Sequence, residues 1–556
     1  MRPSFRIAPC ALALLLVTGT VWAAPAPLQA PLTARTLAYI GRAWGTLTRS
    51  ASTCASYPSG PHRPQRVLYL PKRLAMPQAV RALVAHCHVS VRRLPMSIVR
   101  LGTVQPASLK QQGLLYLPHP YVVPGGFFNE MFGWDSYFIV LGLVSDHRDA
   151  LARGIVDNFL FEVRHYGAML NANATFSLSR SQPPLLGEMI RTLLRDPAAF
   201  PNRLAATVWL RRAYPLAVQD YSLWERREHL AGNTGLARYF DYGGDQPAIE
   251  LRSAAYYRGV IRFLLRHRSE NRGYLVRGAH HPTAAQAAKL AEVSCDVRTS
   301  RVCAAAWFGG YRLTGKFYRG DRAMRESGFD TTFRFGPYSG SAIDYAPVGL
   351  NSLLYRYALD LAAFARRLGD GVAARGWMAA AAARKQAINR YLWNRRLGQY
   401  TDYDFVTGRH SYYPFITTFY PLWAAVASRA QARAVHAALP YFERVGGLQT
   451  STYASGAQWD APFGWAPTNW LAVAGLQAYG YRAAACRLAT KFIATVNRGF
   501  ARDGTIREKY DMASGTSKVL VTAGYTQNEI GFGWTNGVYV KFWQLLQRSH
   551  PGGCAP

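Results

Sequence analysis

Two segments far apart in the chain gather the side chains that hold a sugar well. Residues 124–138 read PGGFFNEMFGWDSYF and residues 458–470 read QWDAPFGWAPTNW, both dense in Trp, Phe, Gly and Pro and short of aliphatic residues. Each sets a Trp-Asp pair among aromatics, Trp134-Asp135 and Trp459-Asp460. An indole or phenyl plane stacks on the C–H face of a pyranose, and a carboxylate accepts hydrogen bonds from its hydroxyl groups. The chemistry this combination suits is hydrolysis of a glycoside. Trp134, Trp459 and Trp465 suit core packing equally well. Asp135 reads as a contact for sugar hydroxyl groups, while Asp460 suits that role or a structural hydrogen bond.

Helices must position these segments. Apolar spacing predicts helices over 33–50, 76–92, 201–225, 247–267, 346–369, 371–393, 418–440, 465–480, 482–499 and 533–547. In 346–369, residues Leu350, Leu353, Leu354, Tyr357, Ala358 and Leu361 follow the i, i+3, i+4, i+7 pattern. A further pair is expected around SYFIVLGLV and the HRDALARGIV segment, with Asp146 as N-cap of the second. Strand signals are few, TIREKYD after Asp503-Gly504 being one. Helix pairs of similar size joined by Gly- and aromatic-rich loops suit an all-α toroid whose chemistry sits on loops at one end.

At 556 residues with 49% hydrophobic content, the chain can bury a large core. The net charge is +34, with nine Lys and 56 Arg. These charges are dispersed and no nucleic-acid-binding motif accompanies them, so nucleic acid is not the expected partner; loose contact with anionic polymers fits better. Arg2 and Arg6, the apolar run Ala11 to Val17 and the small-residue site at Val21-Trp22-Ala23 read as a signal peptide over 1–23. Export, periplasmic or extracellular, is therefore expected, without stable membrane insertion. Six cysteines would remain, and an even number in an exported chain favours disulfides. The pairing Cys295–Cys303 is expected first, then Cys54–Cys87 and Cys486–Cys554.

The two motifs resemble trehalases of glycoside hydrolase family 37. One family signature, Pro-Gly-Gly-Arg-Phe-x-Glu-x-Tyr-x-Trp-Asp-x-Tyr, is met by Pro124, Gly125, Gly126, Phe128, Glu130, Trp134, Asp135 and Tyr137. The second, Gln-Trp-Asp-x-Pro-x-Gly-Trp-Ala-Pro, is met throughout by Gln458 to Pro467. The blocks NANATFSLSRSQPP (171–184), ESGFDTTFRF (326–335), REKYD (507–511) and GFGWTNGV (531–538) follow in family order. The resemblance implies an (α/α)6 barrel, hydrolysis with inversion, and no metal or organic cofactor. It assigns Asp330 as general acid and Glu508 as general base. Inversion needs two carboxyl groups, one protonated and one ionised, roughly 6.5–9.5 Å apart so that a water fits between. Read without the blocks around them, Asp330 could be a helix cap after Gly328 and Glu508 an exposed strand charge. Sugar-binding positions carry over to Phe128, Asn171, Arg180 and Gln182, with Trp134, Asp135 and Trp459 beside them; Arg252 matches the Arg of an Arg-Pro-Glu-Ser-Tyr segment through Arg252 and Tyr256 alone.

The departures are Phe127 for the signature Arg, Phe132 for its Tyr, Ala174 for an Arg, Ala254 for a Glu, Phe329 for a Trp and Gly349 for an Asp. Each removes hydrogen-bonding capacity. The expected organisation is a signal peptide (1–23), an N-terminal extension packing on the barrel (24–115), the catalytic barrel (116–548) and a tail (549–556). The expected activity is hydrolysis of the disaccharide α,α-trehalose. Alternatives are the same reaction on another α-glycoside, a sugar-binding homologue without catalysis, or a basic envelope-anchoring module.

Overall fold

The computed structural model describes residues 28–57, 66–251, 253–547 and 554. Twelve helices build an (α/α)6 barrel: α1 (Ala30–Thr46), α2 (Gly133–Ser145), α3 (Asp149–Tyr166), α4 (Leu186–Arg195), α5 (Arg203–Ser222), α6 (Val348–Arg367), α7 (Gly371–Tyr391), α8 (Tyr420–Trp423), α9 (Arg429–Ala437), α10 (Ala466–Ala478), α11 (Arg482–Asp503) and α12 (Gly533–Gln547). The even-numbered helices form the inner ring, each packing on the next, and α12 returns to lie along α2. Helices α3, α5, α7 and α11 lie outside them. Helix α9 joins α7 through the Gln431–Asn389 hydrogen bond of 2.8 Å, and α1 covers α11 and α12.

Sequence explains the two layers. Helix α2 is apolar on all sides, and every residue from Gly133 to Leu143 is buried, as a helix enclosed by others must be. Helix α3 is one-sided, burying Ala152, Ile155, Val156, Phe159 and Val163 while Arg164 faces solvent. The ring closes through a glycine contact. A Cβ at Gly537 would stand 2.0 Å from the Phe138 carbonyl oxygen, and one at Gly142 would stand 2.5 Å from the Gly537 Cα. Only glycine lets α2 and α12 approach this closely.

Some elements differ from expectation. Residues 66–115 contain a three-stranded parallel sheet, Val67–Leu70 between Ser90–Arg93 and Leu114–Leu115, crossed over by helix Gln78–Cys87. Its strands of two to four residues are too short for a periodic signal to stand out. The helix expected over 418–440 breaks between α8 and α9, where Ala425 takes a φ of 63° and Ser428 with Gln431 forms a capping box. Asp146 does not cap α3; it ends α2 and accepts the Trp44 indole N–H at 2.6 Å. Cysteines pair as Cys54–Cys87, Cys295–Cys303 and Cys486–Cys554, the connectivity expected from the sequence. We expect Gly537→Ala to destabilise the fold by about 1–3 kcal/mol through overpacking, read as a lower urea midpoint; an unchanged midpoint would show that the α2–α12 seam is not tight.

Candidate active site

The first turns of α2 and α12, Trp465 just before α10 and the loops around them enclose a cavity of about 680 Å³. Asp330, Glu508, Phe128, Trp134, Asp135, Asn171, Arg180, Gln182 and Trp459 all line it. Arg252 lies outside the described residues. The N-terminal sheet reaches the same place: the Leu115 N–H donates to the Asn173 carbonyl at 2.8 Å, and Leu114 lines the cavity.

Asp330 follows the buried helix Gly315–Glu326 across a turn at Gly328. Gly328 has φ +74°, and a Cβ there would meet the Trp134 indole at 2.8 Å, so the turn requires glycine. Asp330 caps no helix. Its backbone is pinned by the second signature segment: the Gln458 amide donates to the Asp330 carbonyl, and the Trp459 N–H donates to Thr331 O at 3.1 Å. Asp460 completes the clamp, accepting from Thr332 Oγ1 at 2.8 Å and the Phe333 N–H at 2.9 Å, fully buried and away from the cavity. Asp460 is therefore structural. The Asp330 carboxyl lies 3.7 Å from the Arg325 guanidinium. Its side chain keeps 28% of its surface, on the cavity it lines, and desolvation there pushes the carboxyl up to about 7, with Glu250 adding to the rise, against the downward pull of Arg325 and Arg180.

Glu508 enters from the opposite part of the chain. Its N–H donates to the Glu529 carbonyl at 3.0 Å, and its own carbonyl accepts the Trp534 indole N–H at 3.2 Å. Its carboxylate is 15% exposed and receives the Lys509 ammonium at 2.7 Å. This is an inward, paired group rather than an exposed strand charge. Asp135 sits in the first turn of α2; burial, and then the charges of Glu508 and Asp330, raise its carboxyl well above the ordinary range despite a backbone N–H that lowers it.

Aromatic rings form one wall. Trp459 stacks on Trp465 at 3.8 Å, and Trp134 meets Phe329, Trp459 and Trp534 at 5.3, 5.7 and 5.7 Å. Trp134 and Trp459 each keep 2% of their surface exposed, so they serve as core and cavity lining together. Phe128 is half-buried and edge-on to Phe127 and Phe132. Gln182 accepts the Trp134 N–H at 2.7 Å, which ties its loop to α2.

Glu250 and Arg325 are among the lining residues that escape the sequence reading. Glu250 accepts from Arg180 at 2.7 Å and stands 4.0 Å from Arg325; although burial raises its carboxyl, these two cations bring it down to about 2. Arg325 in turn is held by Asp321 at 3.1 Å and by the Tyr525 hydroxyl at 2.5 Å. The Arg before ESGFD and the Glu two residues before Arg252 were the available signals, and neither carries an aromatic neighbour. Arg180 also donates to Asn171 at 3.2 Å. Among the described residues no group of His, Cys, Asp and Glu suits a metal ion, and no helix is long and apolar enough to cross a membrane.

A family model described as Trehalase matches residues 57–251 and 312–547. The chain belongs to the trehalase family. It is 36% identical over 468 residues to a cytosolic neutral trehalase of Kluyveromyces lactis, covering 78% of this chain and 58% of that protein. A cytosolic neutral trehalase of Saccharomyces cerevisiae is 33% identical over 471 residues, covering 79% and 59%. The chain thus spans less than two thirds of the length of these relatives. The solved neutral trehalase of Saccharomyces cerevisiae superposes with a TM-score of 0.74 at 30% identity, covering 92% of this chain and 94% of that one. A mannosylglycerate hydrolase of Thermus thermophilus, at 20% identity and a TM-score of 0.50 over 76% of this chain and 96% of that one, shares the fold alone.

These relatives correct one expectation. They are named cytosolic, which overturns the reading of a signal peptide and of a periplasmic or extracellular location. That reading rested on the charge and apolar pattern of residues 1–23, which lie outside the described residues, and a pattern of composition is a weaker warrant than likeness over most of the chain. For the site itself, the C=O stretch of a protonated Asp330, recognised by its loss in Asp330→Asn, is expected to disappear from the infrared spectrum as pH rises through about 7. Its absence at mildly acidic pH would contradict the burial effect.

Proposed function

We propose that the protein hydrolyses α,α-trehalose to two glucose molecules, with Asp330 as general acid, Glu508 as general base and inversion at the attacked carbon. The observation that carries this reading is a pair of carboxyl groups in unlike surroundings on one cavity. Asp330 is held protonated toward neutral pH by burial, and Glu508 is set against an ammonium group. The Asp330 carboxyl gives its proton to the bridging oxygen as the C1–O bond breaks, so the departing glucose leaves neutral. The Glu508 carboxylate takes a proton from water, whose oxygen bonds to C1 from the opposite face. Exchange with solvent then restores both groups. Phe128, Trp134 and Trp459 would face the sugar rings, and Asp135, Asn171, Arg180 and Gln182 its hydroxyl groups; the neutral trehalase relatives support the disaccharide.

A second reading, the same inversion on another α-glycoside, is favoured by Phe127 and Ala174. Both line the cavity where the family resemblance expects Arg, and Phe127 is 52% exposed. Purified protein given trehalose and other α-linked disaccharides decides between them. Fastest glucose release from trehalose is expected; turnover of another sugar with none from trehalose selects the second reading. Asp330→Asn should lower kcat by about 10²–10⁴-fold, and an unchanged rate would remove Asp330 from the mechanism. Because the acid must hold its proton, kcat should fall as pH rises through about 7; a flat alkaline limb would count against the assignment.

A further inference from the structure

Lys509 has no exposed side-chain surface. Strand Lys509–Asp511 pairs antiparallel with Phe463–Trp465, and the register sets Lys509 opposite Trp465. The ammonium lies 5.0 Å from the Trp465 ring centroid, on the indole that stacks against Trp459. It donates to Glu508 Oε2 at 2.7 Å and to the Gln527 carbonyl at 2.6 Å. The backbone is held as firmly: the Lys509 N–H donates to Asn528 Oδ1 at 3.1 Å, and the Asn528 amide returns a bond to the Lys509 carbonyl at 3.0 Å. An ammonium removed from water is costly unless its bonds are made within the protein. Here the strand, the indole and the Gln527 carbonyl fix it in one place, and its charge is aimed at one oxygen of the proposed base.

We propose that Lys509 is a positioning residue for hydrolysis: by binding Oε2 it sets the Glu508 carboxylate in one orientation and leaves Oε1 to accept the proton of the attacking water. This rests on the reading of Glu508 as general base. A carboxylate on a three-torsion side chain turns freely unless one oxygen is anchored, and a short charge-assisted bond is an effective anchor. Misplacement of a reacting group by about 1 Å costs roughly 10²-fold in rate. Lys509 touches no reacting atom in this scheme. Its effect passes through Glu508 and should vanish when Glu508 cannot act.

The test compares Glu508→Gln, Lys509→Met and the double variant in the full chain, by kcat on trehalose and by calorimetric Kd for glucose. Lys509→Met is expected to lose about 10²-fold in kcat with glucose Kd unchanged, and to cause no further loss in the Glu508→Gln background. If Glu508→Gln keeps the wild-type rate, the base assignment fails, and the positioning proposal with it. If Glu508→Gln loses the rate while Lys509→Met keeps it, the base stands and the positioning role is overturned. Loss of glucose binding in Lys509→Met, or a further loss on the Glu508→Gln background, would mean a structural lysine and overturns the proposal too.

Discussion

Desolvation of the Asp330 carboxyl inside the cavity, beside two guanidinium groups, is the interaction on which the site depends, although 28% of its side chain still meets the cavity space. A cation at 3.7 Å ordinarily draws a carboxyl down. Desolvation prevails because both cations are already engaged. Arg325 is bound by Asp321 and Tyr525, and Arg180 by Glu250 and Asn171. Their charge is shared before it reaches Asp330, and Glu250 adds a repulsion that favours the protonated form. The same cavity supplies the opposite surroundings to Glu508, whose carboxylate faces a buried ammonium. Two groups of one chemical type thereby stand in different surroundings on one cavity.

The barrel makes this possible by bringing remote segments together at one end. Closing α12 onto α2 places Trp534 beside Trp134, and the Phe463–Trp465 strand joins the Lys509–Asp511 strand. Gln458 and Asp460 then clamp the backbone at Asp330 and just after it. Arg334 extends the chain of contacts to Asp402, which also receives the Val348 N–H at the start of α6. Catalytic candidates on loops are held by bonds to helix ends, so the loops inherit the rigidity of the ring.

Much of this was legible in the residues. Helical periodicity marks the inner and outer layers because long amphipathic or wholly apolar runs leave a strong signal. The two aromatic segments mark the cavity because Trp, with 14 in the whole chain, is rare and is clustered there with Phe, Gly and Pro. Glu250 and Arg325 were missed because a charged residue in a polar stretch looks alike whether it meets solvent or a partner 70 or 200 residues away. Glu508 read alone could be an exposed strand charge, whereas pairing of the next residue, Lys509, with the Phe463–Trp465 strand turns that lysine inward against it, a tertiary fact with no local trace. Asp460 and Asp135 share a Trp-Asp pattern yet part ways, since Asp135 begins a helix at the cavity and Asp460 closes a loop behind it.

Proton NMR of the sugar released in the first turnovers tests the facing of Asp330 and Glu508 across the cavity most directly. Attack by water from the side opposite the leaving oxygen converts one glucose to the β anomer and releases the other as α. Equal initial amounts of the two anomers from trehalose are the predicted result. Two α anomers would require attack with retention and would contradict a mechanism built on this acid and this base.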